Sequence, residues 1–167
     1  MLLTGTYERA LDQKLRFALP RNHRDALQQQ LPLVLTPGTD GSLALFPQEA
    51  FATLAAKLAA RSPTGQDVRA FSRLLYAQSQ SVELDAQGRI RVPPELARSA
   101  NLGGEVVLLG VGDHLEIWNK SRWEAYVSDL SPKYDQLAEA ALSDAPAPLT
   151  APPTNIPSES NHPLQPR

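Results

Sequence analysis

The chain has 167 residues, no cysteine, and 16 basic against 18 acidic side chains, for a net charge of -2. With 42% apolar and 20% charged residues it has the composition of a globular protein, and the lack of cysteine excludes disulfides, thiolate zinc sites and cysteine nucleophiles. No apolar run approaches the roughly 18–20 residues of a membrane helix, and residues 1–7 lack the pattern of a signal peptide.

The first half of the chain predicts a turn, three strands and two helices. A strand at residues 17–19 alternates in polarity and ends at Pro20, because proline cannot donate to a sheet. A helix at 21–29 and strands at 33–36 and 43–46 follow, and a glycine-containing turn joins the two strands. The last helix of this half has apolar side chains at helical spacing, namely Phe51, Leu54, Ala55 and Leu58.

A second set of elements follows a Pro- and Gly-containing breaker at residues 61–65. An amphipathic helix near 66–80 comes first, and its apolar side is expected to face the core or another subunit. Behind a Ser121-x-x-Glu124 capping box, the final helix repeats the apolar stripe of the first half. The other elements predicted here are a strand at 90–92, a helix at 94–100, and strands at 105–109 and 115–118.

These two sets of elements form an internal repeat. Residues 11–20 (LDQKLRFALP) align with residues 84–93 (LDAQGRIRVP), and both share Leu, Asp, Arg and Pro at the same spacing. The offset of 73 residues becomes 72 further along, where residues 43–46 align with 115–118 and Phe51 aligns with Trp123. Because the order of these landmarks is kept, we interpret the repeat as a duplication.

Each copy contains an Asp-x-x-x-Arg turn. In the second copy, Asp85 can cap the turn by accepting backbone N–H groups, and Gly88 supplies a position with positive φ. Arg89 follows the turn, where it can pair with Asp85 or project into solvent. The first copy has Leu15 in place of glycine, which would cost ~1 kcal/mol or more in a left-handed conformation. Its turn therefore either has a different shape or tolerates the strain, and a purely structural role as a hairpin lock is the alternative for both copies.

The charge is distributed unevenly along the chain. Residues 1–24 carry five basic and two acidic side chains, a local charge of +3, which leaves -5 for the remainder. An isoelectric point near 5.9 argues against a nucleic-acid binder when the whole chain is considered. A basic segment on an acidic body nevertheless permits a local anionic partner, and a solvated face with scattered charge is the alternative.

Patterns typical of enzymes are missing from the sequence. Its 3 histidines are scattered without metal-ligand spacing, and no nucleophile elbow, Walker loop or dinucleotide-binding glycine loop occurs. We therefore expect no catalysis, no metal or other cofactor and no small-molecule substrate. An enzyme acting through carboxylates that the sequence does not reveal would need a pocket with perturbed titratable groups.

Composition and repeat together predict four segments. Residues 1–61 form the first unit, 62–80 a connecting amphipathic helix, and 81–144 the second unit. Seven of the 15 prolines follow residue 143, so residues 145–167 are expected to form a proline-rich disordered tail.

At the repeated Leu-Asp-x-x-Gly-Arg-Ile-x-Val-Pro element, the chain resembles the MraZ regulators. The resemblance extends over roughly residues 1–144, including the N-terminal residues 5–7, the strand at 115–118 and residues 139–144. It implies an α+β fold in which two tandem AbrB-like (swapped-hairpin) units form a pseudo-symmetric β core with short flanking helices.

The resemblance also implies a function. Members of this family are cytoplasmic, nucleoid-associated transcriptional regulators of the division and cell-wall gene cluster, which assemble homo-oligomeric rings and bind direct repeats in promoter DNA. Arg16 and Arg89 correspond to the motif arginines. Asp12 and Asp85 correspond to their structural partners, and Lys14 to the basic residue of the first motif. The residues implied to bind DNA are Lys14, Arg16 and Arg89, and neither a membrane nor a small molecule is implied as a partner.

A second hypothesis is a ring-forming interaction protein with weakened or lost DNA recognition. Leu15 in place of glycine, the neutral Gln87 where the first motif has Lys14, and the overall acidity favour it. It predicts an intact oligomer that does not distinguish promoter DNA from random duplex. The first hypothesis predicts sequence preference together with a steep dependence on salt.

Overall fold

The structure is a computed structural model that describes residues 2–61 and 65–143. Antiparallel strands and short helices alternate along the chain, which confirms the α+β class. The tail predicted at 145–167 lies outside the described residues. The strands are β1 (Thr6–Ala10), β2 (Arg16–Ala18), β3 (Leu33–Pro37), β4 (Leu43–Pro47), β5 (Gln80–Val82), β6 (Arg89–Arg91), β7 (Glu105–Gly110) and β8 (Leu115–Asn119). The helices are α1 (Arg21–Gln28), α2 (Gln48–Ala59), α3 (Gln66–Gln78), α4 (Pro94–Ser99), α5 (Lys120–Leu130) and α6 (Tyr134–Leu142).

Both repeats contribute strands to one six-stranded antiparallel sheet. Its strand order is β1-β7-β8-β4-β3-β5, so the first strand of each repeat pairs with the third strand of the other. The fourth strands, β4 and β8, meet at the centre with Leu43 opposite Ile117 and Leu45 opposite Leu115. Equivalent strands therefore follow in the same order from either edge, as expected for a pseudo-symmetric core of two units.

The remaining two strands, β2 and β6, form a separate antiparallel ribbon. Each follows one Asp-x-x-x-Arg turn, and Phe17 lies opposite Ile90 in their register. We call residues 12–18 and 85–91 together the motif ribbon. Because its two strands come from different repeats, the ribbon joins the two motifs, with one turn at each end, although they are 73 residues apart in the sequence.

The main core also draws on both repeats. The leucines of β3, β4, β7 and β8 are all buried, and the ribbon buries one side chain from each of its strands. Full burial of one leucine, isoleucine or phenylalanine side chain stabilises the fold by about 1.5–3 kcal/mol. The core residues that are at most 1% exposed include Phe17, Leu27, Leu35, Ile90, Leu96, Leu108 and Ile117. Each repeat therefore completes the core of the other.

Some sequence predictions were wrong in detail. The capping box is not formed, because the Oδ1 atom of Asn119 accepts from the N–H of Arg122 at 3.1 Å and Ser121 lies inside α5. The connecting helix ends at Gln78, and Gln80 already belongs to β5. The sequence did not predict β1 and β5, since neither edge strand has the apolar alternation of a buried strand.

Residues 132–143 belong to a unit separate from the one that contains the sheet. Within it, α6 exposes its apolar side chains Tyr134, Leu137 and Leu142. Among the described residues, no helix has both the length and the apolar character needed to span a bilayer.

Candidate nucleic-acid interface

The first motif forms a turn locked by Asp12. Its Oδ1 atom accepts from the backbone N–H groups of Lys14 at 2.8 Å and Arg16 at 2.9 Å. Its Oδ2 atom accepts from Nε of Arg16 at 2.8 Å and lies 2.8 Å from Nη2 of the same guanidinium. One carboxylate thus satisfies two turn amides and holds the arginine that follows.

The second motif repeats this arrangement. Oδ1 of Asp85 accepts from the N–H groups of Gln87 at 2.9 Å and Arg89 at 3.0 Å, and Oδ2 accepts from Nε of Arg89 at 2.8 Å. The backbone bonds that close the two turns also match, with lengths of 2.8–2.9 Å. The shape of the first turn, which the sequence left open, is therefore that of the second.

Leu15 adopts the left-handed backbone conformation that this turn requires, which is strained for a residue other than glycine. Its φ is +57°, close to the +72° of Gly88 at the equivalent position. At the second turn the Cδ atom of Arg24 occupies the space that a Cβ on Gly88 would need. The residue equivalent to Arg24 by the 73-residue offset is Ala97, which has only a methyl side chain. Leu15 packs half-buried against the main core, which offsets a left-handed cost of about 1–2 kcal/mol.

Exchanging the residues at these two turns should therefore have unequal effects. In Leu15→Gly, relief of the left-handed strain and loss of half-buried packing nearly cancel, so the free energy of unfolding should change by less than about 1 kcal/mol. In Gly88→Leu, strain and displacement of Arg24 add, and we expect a loss of about 2–3 kcal/mol. Urea denaturation measures both, and equal losses would contradict this account of the two turns.

The two aspartates remain charged. Bonds from the Arg16 side chain and the Arg16 N–H lower the pKa of Asp12 below 3.8. For Asp85, the N–H of Arg89 is the largest cause of a pKa that is likewise lowered, ahead of its side chain. Each motif is therefore an Asp–Arg ion pair whose charges largely offset each other, and it adds little net positive charge by itself.

Further basic side chains surround these pairs on the outer side of the ribbon. The burial pattern turns Phe17 and Ile90 inward, which leaves Arg16, Arg89 and Arg91 on the outer face. Lys14 is exposed in the first turn, and in the described part of the chain its ammonium group forms no ion pair. The ribbon therefore brings together all the predicted site residues.

The sequence did not single out two arginines of this surface. Arg91 lies directly opposite Arg16 in the register of the ribbon. Arg9 reaches the ribbon from β1, since its Nε donates to the carbonyl of Ala18 at 3.1 Å. The alternation of residues 89–91 is a signal that could have identified Arg91, whereas the position of Arg9 depends on how β1 packs beside β2.

The second motif differs from the first in one further contact. Nη2 of Arg89 donates to Oε1 of Gln87 at 2.9 Å, so this guanidinium is held by two side chains. The equivalent of Gln87 in the first motif is Lys14, which repels rather than holds an arginine. The first motif therefore offers the more available positive charge.

A titratable cluster lies at the β7–β8 turn. His114 stacks on Phe46 with ring centroids 4.4 Å apart, and its Nδ1 is 2.8 Å from Asp113 Oδ1. Oε1 of Glu116 lies 3.8 Å from Nε2, an ion-pair distance, while Oε2 accepts from the indole of Trp118 at 2.8 Å. Burial lowers the pKa of His114, but Glu116 and Asp113 outweigh it and raise the pKa above 6.5. The contact with His114 lowers the pKa of Glu116 below 4.5.

This cluster predicts a defined pH dependence of stability. A raised histidine pKa gives stability that is fully present below 6.5 and is lost as the pH rises through the pKa of folded His114. The lowered pKa of Glu116 gives stability above 4.5 that is lost in more acidic solution. The free energy of unfolding should thus decline above pH 6.5, and His114→Gln should remove that decline. A decline of equal size in the variant would show that another group causes it.

The described residues contain no group of three or more His, Asp or Glu side chains that could hold a metal ion.

The chain matches a known protein family over both repeats. The model of a family described as "MraZ protein, putative antitoxin-like" matches residues 2–74 and again residues 75–144. The proteins named "Transcriptional regulator MraZ" of Heliobacterium modesticaldum and Nocardia farcinica are 38% and 40% identical over 141 residues, 84% of this chain and 97% of each relative. The Rhodococcus jostii protein of that name is 41% identical over 143 residues, 86% of this chain and 99% of its own. The two matched segments each contain one copy of the repeat.

Proposed function

This chain belongs to the MraZ family, and we propose that it is a transcriptional regulator that binds promoter DNA through the motif ribbon. The observation that supports this proposal is the ribbon itself, which joins the two Asp-locked turns, one at each end, and has basic side chains on its outer face. Lys14, Arg16 and Arg89 are the proposed DNA-binding residues, with Asp12 and Asp85 as the locks that hold the turns. The resemblance suggests the division and cell-wall gene cluster as the target and the cytoplasm, at the nucleoid, as the location.

The charge of the ribbon is small for one chain. Residues 12–18 and 85–91 carry four basic and two acidic side chains, which gives +2 on a chain with a total of -2. Affinity for duplex DNA rises with the number of phosphates neutralised, so one copy would bind weakly. A ring that presents the ribbon repeatedly would bind tightly, because each further contact is intramolecular. We therefore propose that the regulator acts as a ring-like homo-oligomer on direct repeats.

We further propose that the duplication defines the organisation of the protein. The units at 1–61 and 81–144 exchange strands, with β5 of the second unit beginning at Gln80, and α3 within 62–80 connects them. This exchange supports two motifs on one surface rather than two independent binding modules, because neither unit forms the ribbon alone.

The experiment is a binding titration of the full chain against duplex DNA from upstream of its own gene. A scrambled duplex of equal length and composition is the control, and both are measured over a series of salt concentrations. Promoter binding that is tighter than scrambled binding at every salt concentration supports the proposal. Equal affinity for both duplexes would favour the second hypothesis, a ring-forming interaction protein, which the hold of Gln87 on Arg89 also favours. No binding at low salt would refute DNA recognition.

The structure determines which variant tests the surface best. Arg16→Ala would remove a cation and also the guanidinium bonds that Oδ2 of Asp12 accepts, so a loss of binding would have two causes. The side chain of Lys14 takes no part in the lock, since only its backbone N–H bonds to Asp12. Substitution of Lys14 therefore changes the charge of the ribbon without loosening the turn.

A further inference from the structure

Arg91 and Arg16 face each other at close range. The ribbon register pairs them, and the flanking bonds, Val92 N–H to Leu15 carbonyl at 2.8 Å and Leu19 N–H to Gly88 carbonyl at 3.1 Å, place them in a non-hydrogen-bonded pair. Side chains of such pairs are the closest across an antiparallel ladder, with Cβ atoms roughly 4.5–5.5 Å apart. Two guanidinium-bearing side chains thus leave the same face of the ribbon at neighbouring points.

This pairing is unfavourable for the free protein. Like charges directly opposite each other destabilise a sheet, and Arg16 is compensated by Asp12 whereas Arg91 is not. Glu83 and Glu95 line the shallow cleft beside Arg91, yet within the described residues neither forms an ion pair with it, and Glu95 instead lies 3.5 Å from Arg98. An uncompensated arginine opposite another arginine is the arrangement expected where an anion binds between them.

The pseudo-symmetry of the ribbon shows that this feature is not required by the fold. The second pair of outward positions is Arg89 opposite Ala18, related to Arg16 and Arg91 by the repeat. Ala18 occupies the position equivalent to Arg91, and the strand forms equally well there with a methyl group. Arg91 is therefore an addition to one half of the surface.

We propose that Arg16 and Arg91 together hold one phosphate of the DNA backbone, a contact that the Arg89–Ala18 half of the ribbon lacks. This inference rests on the proposed function and assigns a residue and a ligand to it. A phosphate contact positions the protein and does not read sequence. Because this phosphate contact occurs only on the Arg16–Arg91 half of the ribbon, it gives each ribbon a defined orientation relative to the DNA strand.

The test compares Arg91→Ala with wild type in the titrations described above, using the promoter and scrambled duplexes. Each phosphate contact contributes about 0.9 to the slope of log affinity against log salt concentration. The slope should fall by about 0.9 for each subunit engaged, and affinity near physiological salt by about fivefold for each, equally on both duplexes. Without DNA, the thermal midpoint should stay the same or rise, because a repulsive pair has been removed. Arg73→Ala, an arginine removed from α3 instead, is the matched control and should leave the slope unchanged.

A gain-of-function variant makes the test independent of damage to the protein. Ala18→Arg would create on the second half the pair that the first half has, and should raise the slope and the affinity. Three outcomes overturn the inference alone: an unchanged slope in Arg91→Ala while substitution of Lys14 weakens binding, a loss confined to the promoter duplex, or a lowered thermal midpoint. Failure of the wild-type protein to bind either duplex would overturn the proposed function together with this inference.

Discussion

Phe17→Ala is expected to lower the free energy of unfolding by about 3–5 kcal/mol, the usual cost of truncating a buried phenylalanine. Phe17 is 1% exposed and lies opposite Ile90 at the centre of the ribbon. Because the two strands come from different repeats, the cavity should loosen both motif turns at once. Urea denaturation measures the stability, and amide exchange at Arg16 and Arg89 reports each turn separately.

Phe51→Ala is the matched control for this prediction. Phe51 is a half-buried phenylalanine of α2 that contacts Phe46 and Tyr76, with ring centroids 6.0 and 6.1 Å apart. Phe51→Ala should lower the free energy of unfolding by about 1–2 kcal/mol, since less of the Phe51 side chain is buried. It should leave amide exchange in the ribbon unchanged. Faster exchange at Arg16 but not at Arg89 in Phe17→Ala would show that the two motifs are mechanically independent.

Lys14→Glu should weaken promoter binding by roughly 30-fold for each subunit that contacts DNA. The substitution removes one positive charge and adds a negative one, which corresponds to about two fewer released counterions near physiological salt. The side chain is exposed and outside the Asp12 lock, so stability should change by less than about 0.5 kcal/mol. Titration of promoter and scrambled duplexes at several salt concentrations measures the loss, and thermal unfolding measures the stability.

Lys57→Glu is the charge-matched control, because it makes the same reversal on α2, outside the ribbon. It changes the net charge of the chain equally, so any effect of the overall field is common to both variants. If the two variants weaken binding to the same degree, affinity depends on total charge and the ribbon is not the contact surface. A specific effect of Lys14 would locate the DNA on the first motif.

The geometry separates two roles that the motif arginines combine. Hydrogen bonds to Asp12 and Asp85 make Arg16 and Arg89 part of the turns, and their charges are largely offset there. Lys14 and Arg91 carry charge that has no such partner in the described residues. The Asp-x-x-x-Arg pattern therefore specifies the shape of the surface, while the residues beside it decide how much positive charge that surface offers.

Local features of this protein could be predicted from the sequence because they depend on residues close together in the chain. Proline after a short alternating segment, glycine in a turn and apolar side chains at helical spacing each act within a few residues. The lock formed by Asp85 is of the same kind, since its partners are two and four positions away. The shape of the first turn was not predictable, because the strain at Leu15 had to be weighed against packing with distant residues.

The duplication, the positions of the two turns and the segments that become most of the helices and strands were thus determined by the sequence itself. Strand exchange between the repeats, the pairing of the two motifs in one ribbon and the meeting of Arg16 with Arg91 were decided by the tertiary structure alone. Pairing between residues about 70 positions apart depends on which apolar faces bury each other most completely, and composition or periodicity does not reveal it. The same packing of distant segments brings Arg9 to the ribbon. It also gathers basic side chains on the ribbon, although the chain as a whole has a net charge of -2.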